Sequence, residues 1–130
     1  MGASVLVVDD DVAASASARV VLSEAGYAVT EAQNGRQALQ RVMANPPDLL
    51  ITGIFMQDFD GIELIAAVKR SHPAVRIIAV SDRRFMGALD LFDLASKLGA
   101  DTELAKPLDT KTLLATVTDL LSSVPGAGLI

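Results

Sequence analysis

The chain begins with a short apolar run that ends in three acids, Val5-Leu6-Val7-Val8-Asp9-Asp10-Asp11. Four consecutive apolar residues, three of them β-branched, are typical of a strand buried on both faces of a sheet. Apolar runs of similar length return along the chain, and segments with helical periodicity separate them. The patterns therefore predict five strands, at residues 5–8, 27–32, 49–52, 76–80 and 102–105.

Helical patterns follow each predicted strand. Asp11 is the expected N-cap of the first helix and Gly26 its expected stop, and Asn34 and Gly99 have the same two roles in later helices. The alternation predicts an α/β domain of doubly wound (βα)5 type, with a five-stranded parallel sheet of flavodoxin-like topology and helices on both faces. The inward face of the first helix is expected to contain Ala14, Ala18, Val21, Leu22 and Ala25.

The composition restricts both organisation and function. A length of 130 residues fits one domain, expected over residues 1–123 and followed by a flexible C-terminal tail at 124–130. Eleven basic and sixteen acidic residues give a net charge of −5, which argues against direct nucleic-acid binding and an anionic membrane surface. With no cysteine, disulfides, thiolate metal sites and cysteine nucleophiles are excluded. The N-terminus does not resemble a signal peptide, so we expect a cytoplasmic protein.

Polar residues follow the carboxyl ends of several predicted strands. The acids 9–11 follow the first strand, Ser81 the fourth and Lys106 the fifth. In a parallel sheet these ends share one edge, where ligands bind. Carboxylates suit Mg²⁺, and a hydroxyl and an ammonium suit phosphoryl oxygens. The sequence therefore predicts a shared site, although the acids alone would also fit a solvated turn with a helix cap.

Four stretches of the chain resemble the receiver domain of bacterial two-component response regulators. The resemblance implies that Asp9 and Asp10 bind Mg²⁺ and that Ser81 and Lys106 contact phosphoryl oxygens. In that family an aspartate at the end of the third strand accepts the phosphoryl group, and an aromatic residue on the fifth strand reports the state. The resembling stretches are 5–11, 48–64, 77–81 and 99–107.

The phosphoacceptor position of this chain is Gly53. Glycine has no side chain, so no acyl phosphate can form there and the position is expected to be non-functional. Thr52 is expected to point to the opposite face of the strand, because side chains alternate. Asp58 and Asp60 lie further along the loop, which makes them poor substitutes.

The loss of one acid changes what the other site residues can do. Asp9 and Asp10 should hold Mg²⁺ weakly or not at all, because this ion demands octahedral geometry and sheds water reluctantly. No cofactor is therefore expected to be required. Lys106 is expected to neutralise Asp9 or Asp10 directly, since an isolated buried charge is costly. We hypothesise that this contact locks the site in one conformation.

The expected partner surface also departs from the family pattern. Glu103 stands at the position of the aromatic switch residue, and we expect it to be exposed or paired with Arg83 or Lys97. The segment between Ser81 and Lys106 is roughly one helical turn longer than in common receivers. The extra turn predicts either a longer core helix or an apolar partner surface, and the resemblance implies that the partner face comprises helix 4, strand 5 and helix 5. The candidate residues of that face are Phe85, Met86, Leu89 and Glu103.

The resemblance implies a non-enzymatic signalling domain that acts through protein contacts without phosphorylation. Its expected partners are a histidine kinase, another receiver or an output domain, and the chain is expected to be a monomer or a weak homodimer through the helix 4–strand 5–helix 5 face.

Two other functions fit parts of the pattern. A haloacid dehalogenase-type phosphatase would use Asp9 as nucleophile and Asp11 as general acid, with Ser81 and Lys106 in support. Ala13 stands where that family has threonine, however, and no acidic pair follows Lys106 in the expected place. A flavin module is the third alternative, but three aspartates after the first strand would repel its phosphate.

Overall fold

Strands and helices alternate along the chain, as the sequence predicts. The computed structural model describes residues 2–56, 61–82 and 88–122, with backbone alone for residues 82 and 88–92. Within these residues, no helix is both long and apolar enough to cross a bilayer. The elements are β1 Ser4–Val8, α1 Val12–Glu24, β2 Ala28–Ala32, α2 Gly35–Ala44, β3 Leu49–Gly53, α3 Gly61–Ser71, β4 Arg76–Asp82, α4 Ala88–Leu98, β5 Thr102–Lys106 and α5 Thr110–Ser122.

The strands form one parallel sheet in the order β2-β1-β3-β4-β5. This confirms the predicted doubly wound (βα)5 fold. The chain reverses direction across the sheet after β2, so β1 lies between β2 and β3. The carboxyl ends of all five strands therefore lie on one edge, and β2 and β5 are the edge strands.

Each face of the sheet has its own apolar core. On β1, Val5 and Val7 pack toward α1 and α5, whereas Leu6 and Val8 pack toward α2, α3 and α4. All four side chains are buried. This two-sided burial explains why the strand sequence is continuously apolar, because neither face contacts water.

The predicted helix ends are confirmed. The Asp11 carboxylate accepts a hydrogen bond from the Ala14 amide at 3.2 Å, and the Asn34 side chain accepts one from the Gln37 amide at 2.8 Å. Gly26 and Gly99 follow α1 and α4 with φ of 101° and 126°. Only glycine adopts this left-handed region without strain, so these residues end their helices as expected.

The predicted inward face of α1 is partly wrong. Ala18 and Leu22 are buried, but Ala25 is exposed and Ser15 is buried in the core. The Ser15 hydroxyl donates to the Glu31 carboxylate of β2 at 2.7 Å, which compensates its burial. Helical periodicity cannot show this, because the acceptor lies on another element.

The close approach of α3 to the end of β3 requires glycine at position 61. The Gly61 amide donates to the Ile54 carbonyl at 2.9 Å, and a Cβ at Gly61 would overlap the Gly53 carbonyl oxygen. We expect Gly61→Ala to lower the free energy of unfolding by about 1–3 kcal/mol, because backbone must move. Gly53→Ala is the control, and we expect it to change stability by less than about 1 kcal/mol, in the stabilising direction. Urea denaturation of both variants measures this, and equal effects would contradict the steric argument.

The start of α5 is sensitive to acid. The Asp109 carboxylate accepts hydrogen bonds from the Thr112 hydroxyl at 2.7 Å and the Thr112 amide at 2.9 Å, and these bonds lower the pKa of Asp109 below 3.8. The stabilisation of the helix by this charge is therefore complete above about pH 4 and is lost as the pH falls through the lowered pKa. We expect the Thr112 amide NMR shift to follow this titration. Asp109→Asn should abolish it while retaining the cap.

Candidate functional site

Two charged side chains from opposite ends of the chain meet at the carboxyl edge of the sheet. The Lys106 ammonium lies 2.8 Å from Oδ2 and 3.0 Å from Oδ1 of Asp9, across 97 residues of sequence. The Asp9 side chain is 7% exposed and the Lys106 side chain 21%. The Lys106–Pro107 peptide bond is cis. The ion pair thus joins the carboxyl ends of the interior strand β1 and the edge strand β5.

Asp9 also accepts a hydrogen bond from backbone. The Asp11 amide donates to Asp9 Oδ1 at 2.9 Å, and the Asp11 carboxylate lies 3.9 Å from the Lys106 ammonium. Both Asp9 oxygens are therefore satisfied by protein donors. The prediction that Lys106 neutralises Asp9 or Asp10 is confirmed, with Asp9 as the partner. Asp10 is exposed and pairs with none of the described residues.

Gly53 lies beside this ion pair. A Cβ built there would be 3.5 Å from Asp9 Cγ and Oδ2, an ordinary van der Waals distance. The backbone of Gly53 does not adopt a positive φ. Neither packing nor backbone geometry therefore requires glycine, and an aspartate at this position would begin directly opposite the Asp9 carboxylate.

The neighbouring residue Thr52 does not supply the missing group. Its side chain is fully buried, and its hydroxyl donates to the Gly53 carbonyl at 2.9 Å. Asp58 and Asp60, which the sequence indicates are poor substitutes for an acceptor at position 53, lie outside the described residues. Within the described part of the chain, no carboxylate replaces the one that Gly53 lacks.

Ser81 is buried, and its side chain forms no hydrogen bond with the described residues. Its relative exposure is 3%. The preceding Val80 packs toward α1 and α5, so strand alternation directs Ser81 toward the other face of the sheet. Ser81 therefore shares the sheet edge with Lys106, but the structure does not join it to the Asp9–Lys106 pair.

The described residues contain no cluster of three or more metal-ligating side chains. This holds for histidine, cysteine, aspartate and glutamate within residues 2–56, 61–82 and 88–122. Because Lys106 contacts both oxygens of Asp9, a cation would have to displace an ammonium to reach that carboxylate. The exposed carboxylate of Asp10 is not held by any described residue, and a Mg²⁺ ion bound there would keep most of its water ligands.

The proposed partner face is only partly described. Glu103 is half-buried on the edge strand β5, not fully exposed as expected. Of its two expected partners, Lys97 pairs instead with Asp93 at 3.1 Å, and Arg83 lies outside the described residues. Leu89 lies in α4 with its side chain outside the described part, and Phe85 and Met86 lie outside the described residues altogether.

A doubly wound sheet with an acid–lysine pair at its carboxyl edge is the architecture of a signalling receiver, and comparison with known proteins identifies the family. Residues 5–118 match the response regulator receiver domain family. The chain belongs to this family. It is a receiver domain of the two-component response regulators, whose receivers interact with histidine kinases and output domains.

Individual relatives differ in length. The chain is 33% identical to sporulation initiation phosphotransferase F of Bacillus subtilis, over 84% of this chain and 86% of that protein. It is 34% identical to the transcriptional regulatory protein ZraR of Klebsiella oxytoca, over 91% of this chain but only 26% of that protein.

Solved structures agree with the fold. The chemotaxis protein CheY4 of Vibrio cholerae superimposes with a TM-score of 0.83 at 28% identity, covering 93% of this chain and all of that one. The receiver domain of NtrX from Brucella abortus gives a TM-score of 0.85 at 26% identity, covering 92% of this chain and 98% of that one. The haloacid dehalogenase-type alternative is not favoured by these matches.

Loss of the Lys106 ammonium should destabilise the domain. We expect Lys106→Met to lower the free energy of unfolding by about 1–3 kcal/mol, because it leaves the buried Asp9 carboxylate without a countercharge. Asp9→Asn combined with Lys106→Met should cost less than the sum of the single changes. Urea denaturation of the four proteins measures the coupling.

Two variants serve as controls for this cycle. Lys97→Met removes an exposed i,i+4 pair and should cost no more than about 0.5 kcal/mol. Asp10→Ala should leave the melting temperature unchanged, because Asp10 pairs with none of the described residues. If Lys106→Met is no more destabilising than Lys97→Met, the buried ion pair does not stabilise the domain.

Proposed function

We propose that this receiver domain signals through protein contacts, without phosphorylation of an aspartate. The observation that carries the proposal is Gly53 at the end of β3, with its missing side chain directed at the Asp9 carboxylate. An acyl phosphate requires a carboxylate oxygen as nucleophile, and glycine supplies none. The acceptor is lost although the backbone there would accommodate one.

The Asp9–Lys106 pair supports a single resting state. With the acceptor absent, the ammonium of Lys106 bonds to both oxygens of Asp9. The pair thereby compensates the buried carboxylate from within the protein, and neither a metal nor a phosphoryl group is needed for that purpose. We infer that the domain is held in one conformation by this contact.

The proposed partners are proteins of the same signalling system. A histidine kinase, another receiver or an output domain would bind a domain of this fixed shape, and the domain would then sequester its partner or hold it in one state. We propose α4, β5 and α5 as the contact or homodimer face, and the partly exposed residues along the edge strand β5 support this choice. In this proposal the domain has no enzymatic activity.

An NMR titration of three proteins tests the loss of the acceptor. Mg²⁺ and then the phosphoryl mimic beryllofluoride are added to the native chain, to Gly53→Asp and to Gly53→Asn. We expect amide shifts around Ser81, Lys106 and α4 only in Gly53→Asp, because only aspartate supplies a carboxylate oxygen. Gly53→Asn is the matched control, since it has the same size without that oxygen.

The outcomes of this titration are distinct. A saturable, localised response in the native chain would contradict the proposal and would make Asp58 and Asp60 the first suspects. Silence in the native chain with a response in Gly53→Asp would mean that only the acceptor is missing. Silence in all three proteins would mean that Ser81 and Lys106 no longer form a phosphoryl site, and that the domain acts as a binding scaffold. Turnover of a generic phosphate ester would instead favour the phosphatase alternative.

A further inference from the structure

Beside the Asp9–Lys106 pair, a cleft opens at the carboxyl edge of the sheet. It lies between the ends of β1 and β2 and the helices α1 and α2. Its volume is about 470 Å³, within the roughly 300–1,000 Å³ typical of binding pockets. Most of its lining lies outside the Asp9–Lys106 pair. The lining residues are Asp9, Asp10, Val12, Ser15, Glu31, Ala32, Gln33, Gln37 and Arg41.

Two of the four charged side chains that line this cleft, Glu31 and Asp9, are already compensated. Glu31 pairs with Arg19 at 2.6 Å and accepts the Ser15 hydroxyl, and Asp9 pairs with Lys106. Two charges remain, the carboxylate of Asp10 and the guanidinium of Arg41. Each is exposed, and neither forms an ion pair or hydrogen bond with any residue that the structure describes. The cleft thus contains one acidic and one basic side chain that form no ion pair with each other or with any other described residue.

The cleft is also lined by an apolar side chain, Val12, and by the side-chain amide of Gln37. Val12 at the start of α1 is 79% exposed, more than any other large apolar residue in the described part of the chain. Gln37 lies one helical turn before Arg41 and therefore shares its face of α2. The Gln37 side-chain oxygen accepts the Gln33 amide at 2.7 Å, which leaves its NH₂ group to donate to a ligand.

We propose that this cleft binds a segment of a protein partner in which a basic side chain and an acidic side chain flank an apolar one. The basic side chain would pair with Asp10, the apolar one would cover Val12, and the acidic one would pair with Arg41. The Gln37 amide would donate to a backbone carbonyl of the segment. The proposal rests on the proposed function, because it assumes that the domain acts through protein contacts.

Charge favours a different protein over a second copy of this chain. Each copy carries a net charge of −5, so two copies repel each other at long range. A simple cation would be attracted by Asp10 but repelled by Arg41, and an anion would meet the opposite arrangement. Only a dipolar occupant satisfies both groups at once.

An NMR titration with defined peptides tests the cleft. The probes are acetylated and amidated peptides in which lysine and glutamate are separated by one, two or three apolar residues. Matched peptides carry glutamine at both charged positions. We expect at least one charged peptide to give saturable shifts at the amides of Asp10, Val12, Gln33, Gln37 and Arg41. Its matched uncharged peptide should bind at least roughly two- to five-fold more weakly.

Variants locate the binding groups. Asp10→Asn and Arg41→Gln should each weaken the charged peptide roughly two- to five-fold, as expected for partly exposed ion pairs. Glu24→Gln and Arg36→Gln remove exposed charges of α1 and α2 that do not line the cleft, and they should leave binding unchanged. Equal weakening by all four variants would overturn the proposal, because it would indicate only a general effect of charge.

The remaining outcomes are also decisive. Absence of shifts in the cleft with every peptide, or equal binding of charged and uncharged peptides, would overturn the proposal. Equal saturation by free lysine or glutamate would overturn it in favour of a small-molecule site. Failure of the peptide titration would not change the beryllofluoride result on the Gly53 variants. A response of the native chain to beryllofluoride would refute the proposed function and would not change the peptide shifts.

Discussion

The interior strand β1 must bury both of its faces, because the side chains on each face are apolar. A single layer of helices would leave one face in water, so helices have to cover the sheet from both sides. The order β2-β1-β3-β4-β5 achieves this, with α1 and α5 on one face and α2, α3 and α4 on the other. The same arrangement brings the residues after β1, β3 and β5 to one edge. The site is thus a consequence of how the core is covered.

At that edge, the buried carboxylate of Asp9 needs a countercharge. Lys106 provides it from the end of β5, and the Asp11 amide completes the hydrogen bonding. Because β1 and β5 are not adjacent strands, this contact reaches across the sheet. The empty side-chain position of Gly53 lies next to it. The ion pair gives both Asp9 and Lys106 a structural role in this receiver domain.

Local features of the fold were predictable from sequence, and contacts between elements were not. Asp11 and Asn34 cap helices through their own backbone neighbours, and Gly26 and Gly99 end helices through their own φ angles. Ser15 is not among the inward residues that helical periodicity predicts, yet it is buried, and Glu31 on another element accepts its hydroxyl. The partial burial of Glu103 likewise depends on how β5 packs against its neighbours, which the sequence does not show.

The sequence by itself determined the fold class and the chemistry that Gly53 lacks, because periodicity reports burial and a glycine has no carboxylate in any fold. Which acid pairs with Lys106 was decided only by the tertiary structure. Asp9 and Asp10 are adjacent in the chain, but one turns into the site and the other into solvent. The cleft between Asp10 and Arg41 was also decided at that level. Its residues come from three elements and two connections, and only the packing of α1 and α2 beside the sheet brings them together.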